Sequence, residues 1–256
     1  MIRLGTSGFS YADWVGPFYP AHLPRNEWLG YYAQHFDTVE LNVTYYRVPG
    51  RRTVEGWIPK TPEGFLFSVK APGSLTHERV DPDPQAFLDG IAPLTEANRL
   101  ACVLAQFPYA FRPGTQNWDY LARLRGSLPD LPLVVEFRNR AWLTDETFDR
   151  LEELRWGFCC VDEPPLPGLL PPLVKATGPV GYVRFHGRNA RQWWDHEQAW
   201  QRYDYTYSAD ELREWVPKIR QLEAEAPVTL VYANNHYRGQ AADTIRKLRD
   251  LLAESG

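Results

Sequence analysis

Charged side chains end two of the apolar runs in this chain. The run LVVEFR ends in Glu136 and Arg138, and the run GYVRFH contains Arg184 and ends in His186. Successive side chains of a β-strand point to opposite faces, so residues two positions apart share a face. Each run therefore predicts a strand that presents two charged or titratable groups on one face. Carboxylate, guanidinium and imidazole groups together could bind an anion, transfer a proton or attack a substrate.

Eight apolar runs alternate with helical patterns along the chain. We predict strands over residues 2–6, 38–45, 65–70, 101–107, 133–137, 157–161, 181–185 and 228–232. We predict helices over residues 26–36, 51–60, 85–97, 118–125, 145–155, 208–224 and 240–252. Strands that alternate with helices pair in parallel through crossover connections. The pattern predicts an α/β fold, a (β/α)8 TIM barrel, because eight such units close more naturally as a barrel than as an open doubly wound sheet.

Length and composition favour one domain. A chain of 256 residues is close to the roughly 250 residues of a typical TIM barrel, and no flexible linker divides it, so we predict a single domain over residues 1–256. A net charge of −4 disfavours a broad basic surface for nucleic acid. Three cysteines without metal-ligand spacing favour a cytoplasmic location. No apolar run approaches the roughly 20 residues of a membrane helix, so we expect no membrane partner.

A long aromatic insertion separates the seventh strand from the seventh helix. It covers residues 187–207 and contains Tyr203, Tyr205 and Tyr207 at alternate positions. In an extended segment these three rings would line one face, which predicts a lid with a stacking platform for a sugar or a base. The alternative is a loop packed on the barrel rim. The insertion ends at the motif SADE, which predicts a capping box for the next helix.

The candidate site follows from the fold. Active sites of TIM barrels lie at the C-terminal ends of the strands, and alternation along each strand selects the inward side chains there. We predict that the catalytic residues are Glu40, Lys70, Glu136 and His186. We predict that the substrate is bound by Asn42, Tyr45, Gln106, Arg138, Asp162, Arg184, Asn234 and Asn235. For any single charged member, the alternative is a structural ion-pair network that closes the barrel. His77, in the loop after the third strand, is a further candidate for the mouth.

The residue types suggest separate roles. Glu40 or Glu136 could act as a general base or nucleophile, and His186 titrates near neutral pH. Lys70 stands among other cations, which lowers the pKa of an amine and suits a base or a Schiff base. Arginines at the mouth suit bidentate binding of a phosphate or carboxylate. The surplus of cations therefore predicts an anionic ligand.

We predict no bound metal and no cofactor. None of the six histidines lies in an HxH or HExxH spacing. Carboxylates from separate strands could still join His186 in a ligand set. The nearby charges of Lys70, Arg138 and Arg184 disfavour a divalent cation at that place.

Short motifs occur in order along nearly the whole chain. They are GTSGFSY at 5–11, FYP at 18–20, VELN at 39–42, FSVK at 67–70, QFP at 106–108, VEFR at 135–138, YVRFHG at 182–187, YDY at 203–205 and NNH at 234–236. This set resembles the YecE-like family, the domain of unknown function number 72. The resemblance implies a TIM barrel, similar at fold level to the xylose isomerase and endonuclease IV type of barrel. It implies no particular reaction.

Three functional hypotheses remain open on the sequence alone. The first is an enzyme, with hydrolase, lyase and isomerase chemistry all open, that acts on a small polar or anionic ligand such as a phosphate ester, sugar or nucleotide. The second is a nucleic-acid-binding or repair-type barrel similar to endonuclease IV, which the net charge does not favour. The third is a noncatalytic binding or scaffold barrel, which predicts a mouth blocked by paired charges.

Overall fold

A closed barrel of eight parallel strands forms the centre of the molecule. The computed structural model describes residues 1–79, 84–128 and 130–255. In order around the ring, the strands are β1 (Ile2–Ser7), β2 (Thr38–Leu41), β3 (Leu66–Lys70), β4 (Leu100–Gln106), β5 (Leu133–Glu136), β6 (Trp156–Asp162), β7 (Val180–Phe185) and β8 (Val228–Ala233). The strand β8 pairs with β1 and closes the ring. The predicted single (β/α)8 TIM barrel is confirmed.

Helices surround the barrel. They are α1 (Trp28–Tyr32), α2 (Val43–Tyr46), α3 (Arg51–Glu55), α4 (Gln85–Glu96), α5 (Thr115–Ser127), α6 (Asp145–Glu153), α7 (Ala209–Arg213), α8 (Val216–Glu225) and α9 (Gln240–Glu254). Short 3-10 turns lie in several of the connections, among them Ala190–Gln192 and Ala199–Tyr203 in the segment between β7 and α7. Among the described helices, none has the length and apolar character needed to cross a membrane.

The barrel interior is filled by side chains that satisfy one another. The Tyr232 hydroxyl lies 2.6 Å from the Thr38 hydroxyl and 2.9 Å from the Ser68 hydroxyl, and the Tyr232 ring packs 5.2 Å from the ring of Tyr182. These contacts join β2, β3, β7 and β8 across the barrel. The interior is therefore a packed core below the mouth, as is usual for this fold.

Several elements differ in their bounds from the sequence-based expectation: the helices expected over residues 26–36 and 51–60 cover only Trp28–Tyr32 and Arg51–Glu55. Two further differences have a clear physical cause. The second strand ends at Leu41 rather than at residue 45, because the chain turns into α2, where the Thr44 hydroxyl donates to the backbone oxygens of Leu41 and Lys70. The helix expected over residues 208–224 begins with the predicted capping box at Ser208 but divides into α7 and α8. Pro217, in the first turn of α8, lacks an N–H and cannot continue the hydrogen bonding of α7.

Gly5 of β1 offers a direct test of the barrel packing. A Cβ at this position would lie 2.0 Å from the backbone oxygen of Thr38 in β2, and a backbone atom cannot rotate away. Gly5→Ala should therefore lower the free energy of unfolding by about 3 kcal/mol, the upper end of the usual overpacking cost. Gly126→Ala is the matched control, because the added Cβ meets nothing within 4 Å in α5. The free energy of unfolding of this control, measured with urea, should rise by about 0.5 to 1 kcal/mol. Equal effects of the two substitutions would contradict the strand contact.

Candidate functional site

A buried ion network lies beneath the mouth of the barrel. Arg184 donates from Nη1 to Glu136 Oε2 at 2.6 Å and from Nη2 to Glu40 Oε1 at 2.7 Å. The same Nη2 donates to the Ser7 hydroxyl, and the Tyr182 hydroxyl donates to Glu40 Oε2 at 2.6 Å. Both carboxylates are 0% exposed and Arg184 is 2% exposed. A ligand in the mouth therefore meets the arginine before it meets either carboxylate.

Glu136 is the most heavily bound member of this network. Besides Arg184, it contacts Arg138 Nε at 2.7 Å and His186 Nε2 at 3.1 Å, both through Oε1. Burial raises the pKa of this carboxyl, but the charges of Arg138 and Arg184 outweigh burial and hold the pKa well below its usual range. Glu136 is therefore ionised and holds two guanidinium groups in place.

His186 is neutral in this setting. Burial and the nearby charge of Arg138 lower the pKa of its imidazole to about 3. The Asn234 amide Nδ2 lies 3.1 Å from His186 Nδ1, and an amide nitrogen can only donate. His186 therefore carries its proton on Nε2 and donates it to Glu136. This ring is 0% exposed, so it orients the carboxylate rather than facing a ligand directly.

The mouth above the network holds a cavity of about 230 Å³, which we call the first lobe. The first lobe brings together the predicted residues Asn42, Tyr45, Lys70, Gln106, Arg138, Arg184 and Asn234. A mouth closed by paired charges, the expectation of the scaffold hypothesis, is not observed. The side-chain oxygen of Asn42 is buried in this wall without a hydrogen-bond partner. Such an atom is costly to bury, and a ligand that donates a hydrogen bond would satisfy it.

Lys70 is a cation of the first lobe without a direct carboxylate contact among the described residues, although the charges of Glu136 and Glu40 act on it from a distance. Its Nζ lies 4.4 Å from the centre of the Tyr45 ring, and within the described part of the chain it has no hydrogen bond and no carboxylate partner. Burial, followed by the neighbouring charge of Arg184, lowers the pKa of Lys70 to about 8. The amine is therefore mostly protonated at neutral pH. Lys70 is half-buried and lines the cavity. By contrast, Arg184 is already neutralised by two carboxylates.

A second cavity of about 240 Å³ adjoins the first and shares Gln106, Arg138 and Tyr203 with it. We call it the second lobe. Its remaining wall is formed by His77, Pro108, Tyr109, Leu169, Trp193, Trp194 and Arg202. Burial and the charge of Lys70 lower the pKa of His77 to about 4, so this imidazole is neutral. The weaker sequence candidate His77 thus does reach the mouth.

The prediction that Asp162 faces the barrel interior is wrong. Cys159 Sγ lies 3.9 Å from Glu136 Oε2, so odd-numbered residues of β6 point inward and Asp162 points outward. Its carboxylate is instead enclosed on the outer side of the barrel by other residues, namely Arg188, Tyr207 and Trp215. Both faces of a buried parallel strand are apolar, so periodicity could not tell the inner face of β6 from the outer one.

Glu163 is the carboxylate that sequence reasoning missed at this strand end. Its Oε2 lies 3.5 Å from Arg138 Nη1, and its Oε1 accepts a hydrogen bond from the Leu170 backbone N–H at 2.9 Å. Burial raises the pKa of Glu163 to about 7. Glu163 therefore carries only part of a charge at neutral pH and neutralises Arg138 weakly.

Asn235 also lies outside the site that was predicted for it. Its Nδ2 donates to the Tyr205 backbone oxygen at 2.8 Å and to the Thr244 hydroxyl at 3.0 Å, which ties β8 to α9. Neighbouring residues at a strand end face opposite sides, so only Asn234 of this pair reaches the mouth. The substrate-binding prediction for Asn235 is therefore not supported by its position.

The three alternating tyrosines of the insertion do not line one face. Tyr203 reaches both lobes of the mouth. Tyr205 donates from its hydroxyl to Glu211, and Tyr207 is buried with its hydroxyl 2.6 Å from Asp162. The 3-10 turn of this segment ends at Tyr203, and residues 204–207 form neither a turn nor a strand, so the period of two does not apply to them.

Loop residues complete the first lobe. Tyr11 stacks on His236, with ring centres 4.6 Å apart and planes 2° from parallel, and both line the cavity. Strand alternation could not select them, because they follow β1 and β8 rather than lie in them. Their signal in the sequence was the ordered motifs GTSGFSY and NNH. Among the described residues, no group of three or more His, Cys, Asp or Glu side chains has the arrangement of a metal site.

Known proteins resemble this chain, one of them over nearly its whole length. The chain is 32% identical to UPF0759 protein YunF of Bacillus subtilis, with 98% of this chain and 95% of YunF aligned. A shorter segment, 49% of this chain and 45% of the relative, is 31% identical to UPF0759 protein YecE of Escherichia coli K12. Neither description states an activity.

Solved structures show the same fold. A protein of this kind from Thermotoga maritima is 42% identical and aligns over 99% of each chain with a TM-score of 0.91. A second from Enterococcus faecalis is 29% identical, covers 99% of this chain and 96% of its own, and has a TM-score of 0.88. Residues 3–256 match the sequence profile described as "Protein of unknown function DUF72". The chain therefore belongs to the DUF72 family.

Proposed function

We propose that this barrel is an enzyme that acts on a small polar, anionic substrate, such as a phosphate ester, sugar phosphate or nucleotide, at the C-terminal mouth. The observation that carries this proposal is the Lys70 ammonium, which borders the first lobe without a carboxylate partner among the described residues. A cation that is partly desolvated and unpaired favours an anion as its partner.

The charge around the first lobe supports an anion rather than a cation. The carboxylates Glu40 and Glu136 lie behind Arg184 and are saturated by it and by its neighbours. Arg138 borders both lobes, and its side chain is 11% exposed. The groups that a ligand meets first are therefore the cations Lys70 and Arg138.

The same arrangement supports a separate chemical role for each of these groups. The pKa of Lys70, about 8, lies close to neutral pH, so its amine suits proton transfer to or from a bound substrate. Glu40 and Glu136 act as positioning residues, because they hold the guanidinium groups of Arg184 and Arg138. His186 fixes Glu136 from behind.

Sulfate binding tests the proposal, since sulfate keeps its two charges across the pH range of interest. At constant ionic strength, the sulfate Kd should rise about tenfold from pH 7 to pH 9, because binding requires the protonated form of an amine with a pKa of about 8. Lys70→Gln should weaken binding at pH 7 about tenfold or more and remove this pH dependence. Isothermal titration calorimetry gives both quantities.

Lys218→Gln is the matched control, because this lysine lies in α8, where its Nζ packs against the Trp215 ring on the outside of the barrel. It should bind sulfate as the unmodified protein does. Equal losses in the two variants would point to general surface charge instead of the mouth. A Lys70→Gln protein that binds sulfate normally would refute the proposal.

A further inference from the structure

The two lobes of the mouth lie side by side and share part of their walls. Neither cavity, at about 230 and 240 Å³, reaches the size of roughly 300 Å³ at which small-molecule sites begin. Their summed volume exceeds it, and they are adjacent, because Gln106, Arg138 and Tyr203 line both. A ligand of ordinary small-molecule size would therefore have to occupy both lobes.

The second lobe has an exposed aromatic wall. Trp194 is 53% exposed, and its ring meets the Tyr109 ring at a centre distance of 5.2 Å with planes 71° apart. In such an edge-to-face pair, at least one ring keeps both faces clear of the other. A large exposed tryptophan beside a cavity is typical of a surface that stacks on a flat ligand group.

Arg202 adds a hydrogen-bond donor without an acceptor to this wall. Its guanidinium lies 5.8 Å from the centre of the Trp193 ring and 5.9 Å from that of Tyr203. Its Nη2 meets His196 Nε2 at 3.0 Å, but its Nε is buried without a hydrogen-bond partner. Across the described ranges, Arg202 has no carboxylate partner. A planar ring with acceptor atoms would both stack on this wall and accept from a guanidinium N–H.

We propose that the second lobe binds the base of a nucleoside monophosphate whose phosphate is held by Lys70 in the first lobe. The assignment rests on the proposed function, since it takes the anion at Lys70 as given, and it narrows the substrate class to one with a flat heterocycle. The sugar then spans the region of Gln106, Arg138 and Tyr203 that both lobes share. The Trp194 and Tyr109 wall supplies the stacking contact.

A pair of probes isolates the contribution of the base. AMP and ribose 5-phosphate carry the same phosphorylated sugar, and only AMP has a base. AMP should bind at least fivefold more tightly than ribose 5-phosphate. Trp194→Ala should weaken AMP about fivefold to a hundredfold, the range of base–aromatic stacking, and should leave ribose 5-phosphate unchanged. Calorimetric titration of both probes at one ionic strength measures these ratios.

Trp200→Ala is the matched control for the same insertion. Trp200 is partly buried and stacks on Tyr237 at 4.2 Å, away from the wall of either lobe, so its loss should change neither Kd. Equal affinity for the two probes, or equal losses of both in Trp194→Ala, would overturn the base subsite while the anion site stands. Failure of both probes to bind, or ribose 5-phosphate binding that survives Lys70→Gln, would overturn the anion site as well.

A single-stranded oligonucleotide separates a free mononucleotide from a chain end. We expect the site at Lys70 to bind one terminal phosphate. AMP should therefore bind at least as tightly as the oligonucleotide and displace it in competition. An oligonucleotide that binds much more tightly than AMP would overturn the assignment to a free mononucleotide.

Discussion

Glu136→Gln should lower the free energy of unfolding by about 3 to 5 kcal/mol at pH 7, the usual cost of removing one partner from a buried ion pair. The substitution leaves Arg184 with one carboxylate and places an amide against Arg138, which can no longer be neutralised there. The carboxylate is 0% exposed, so water cannot replace the lost charge without opening the barrel mouth. Urea unfolding followed by circular dichroism measures the change.

The pH dependence of this effect has a definite sign. The folded-state pKa of Glu136 lies below the unfolded value of about 4.3, so its stabilising contribution is complete above that pH and is lost as the pH falls through the folded-state pKa. The difference in the free energy of unfolding between the unmodified protein and Glu136→Gln should therefore become smaller below about pH 4.

Glu55→Gln is the matched control, because Glu55 pairs with Arg51 on the surface of α3 and its side chain is 47% exposed. The control should change stability by less than about 1 kcal/mol. If Glu136 were only a general base, its glutamine variant would fold as stably as this control and lose activity alone. That result would contradict the anchoring role described above.

Asp162→Asn should be destabilising by a similar amount, about 3 to 5 kcal/mol. The Asp162 carboxylate accepts from Arg188 Nε at 2.9 Å and Nη2 at 2.7 Å, from the Tyr207 hydroxyl at 2.6 Å and from Trp215 Nε1 at 2.7 Å. Asparagine keeps one acceptor oxygen and turns an N–H₂ group towards donors, so at least one buried donor loses its partner. Thermal and urea unfolding should both report the loss.

The sulfate affinity of Asp162→Asn distinguishes a structural role of Asp162 from a role in substrate binding. Asp162 lies on the outer side of the barrel, so sulfate should bind the folded variant normally. Asp210→Asn is the stability control, since Asp210 pairs with Arg213 while 92% exposed and should contribute little. A stable Asp162→Asn protein with weakened sulfate binding would restore the substrate-binding role that the sequence suggested.

Much of the fold and part of the site could be predicted from sequence. Alternating runs predict the barrel, and strand ends such as VEFR and YVRFH place Glu136, Arg138, Arg184 and His186 near one another. This works because parallel strands of a barrel end at one face, so residues far apart in sequence meet there. To predict this cluster, it was enough to know the alternation of side chains along each strand and that the strands close into a ring.

The rest of the site depends on contacts between elements. Sequence could not show that β6 presents Cys159 and Glu163 inward and Asp162 outward, because both faces of that strand are apolar up to its end. Nor could it place Tyr11 or Trp194, since loop conformation follows from packing on the rim rather than from a period.

The sequence by itself therefore determined the barrel and the collection of charges at its mouth. Only the tertiary structure decided which of these charges are already neutralised. Arg184 forms ion pairs with Glu40 and Glu136. Lys70 lies against the Tyr45 ring at the cavity and makes no direct contact with a carboxylate of the described residues. The physical reason is that pairing of buried charges depends on distances of a few ångströms between strands, which the order of residues along one strand does not contain.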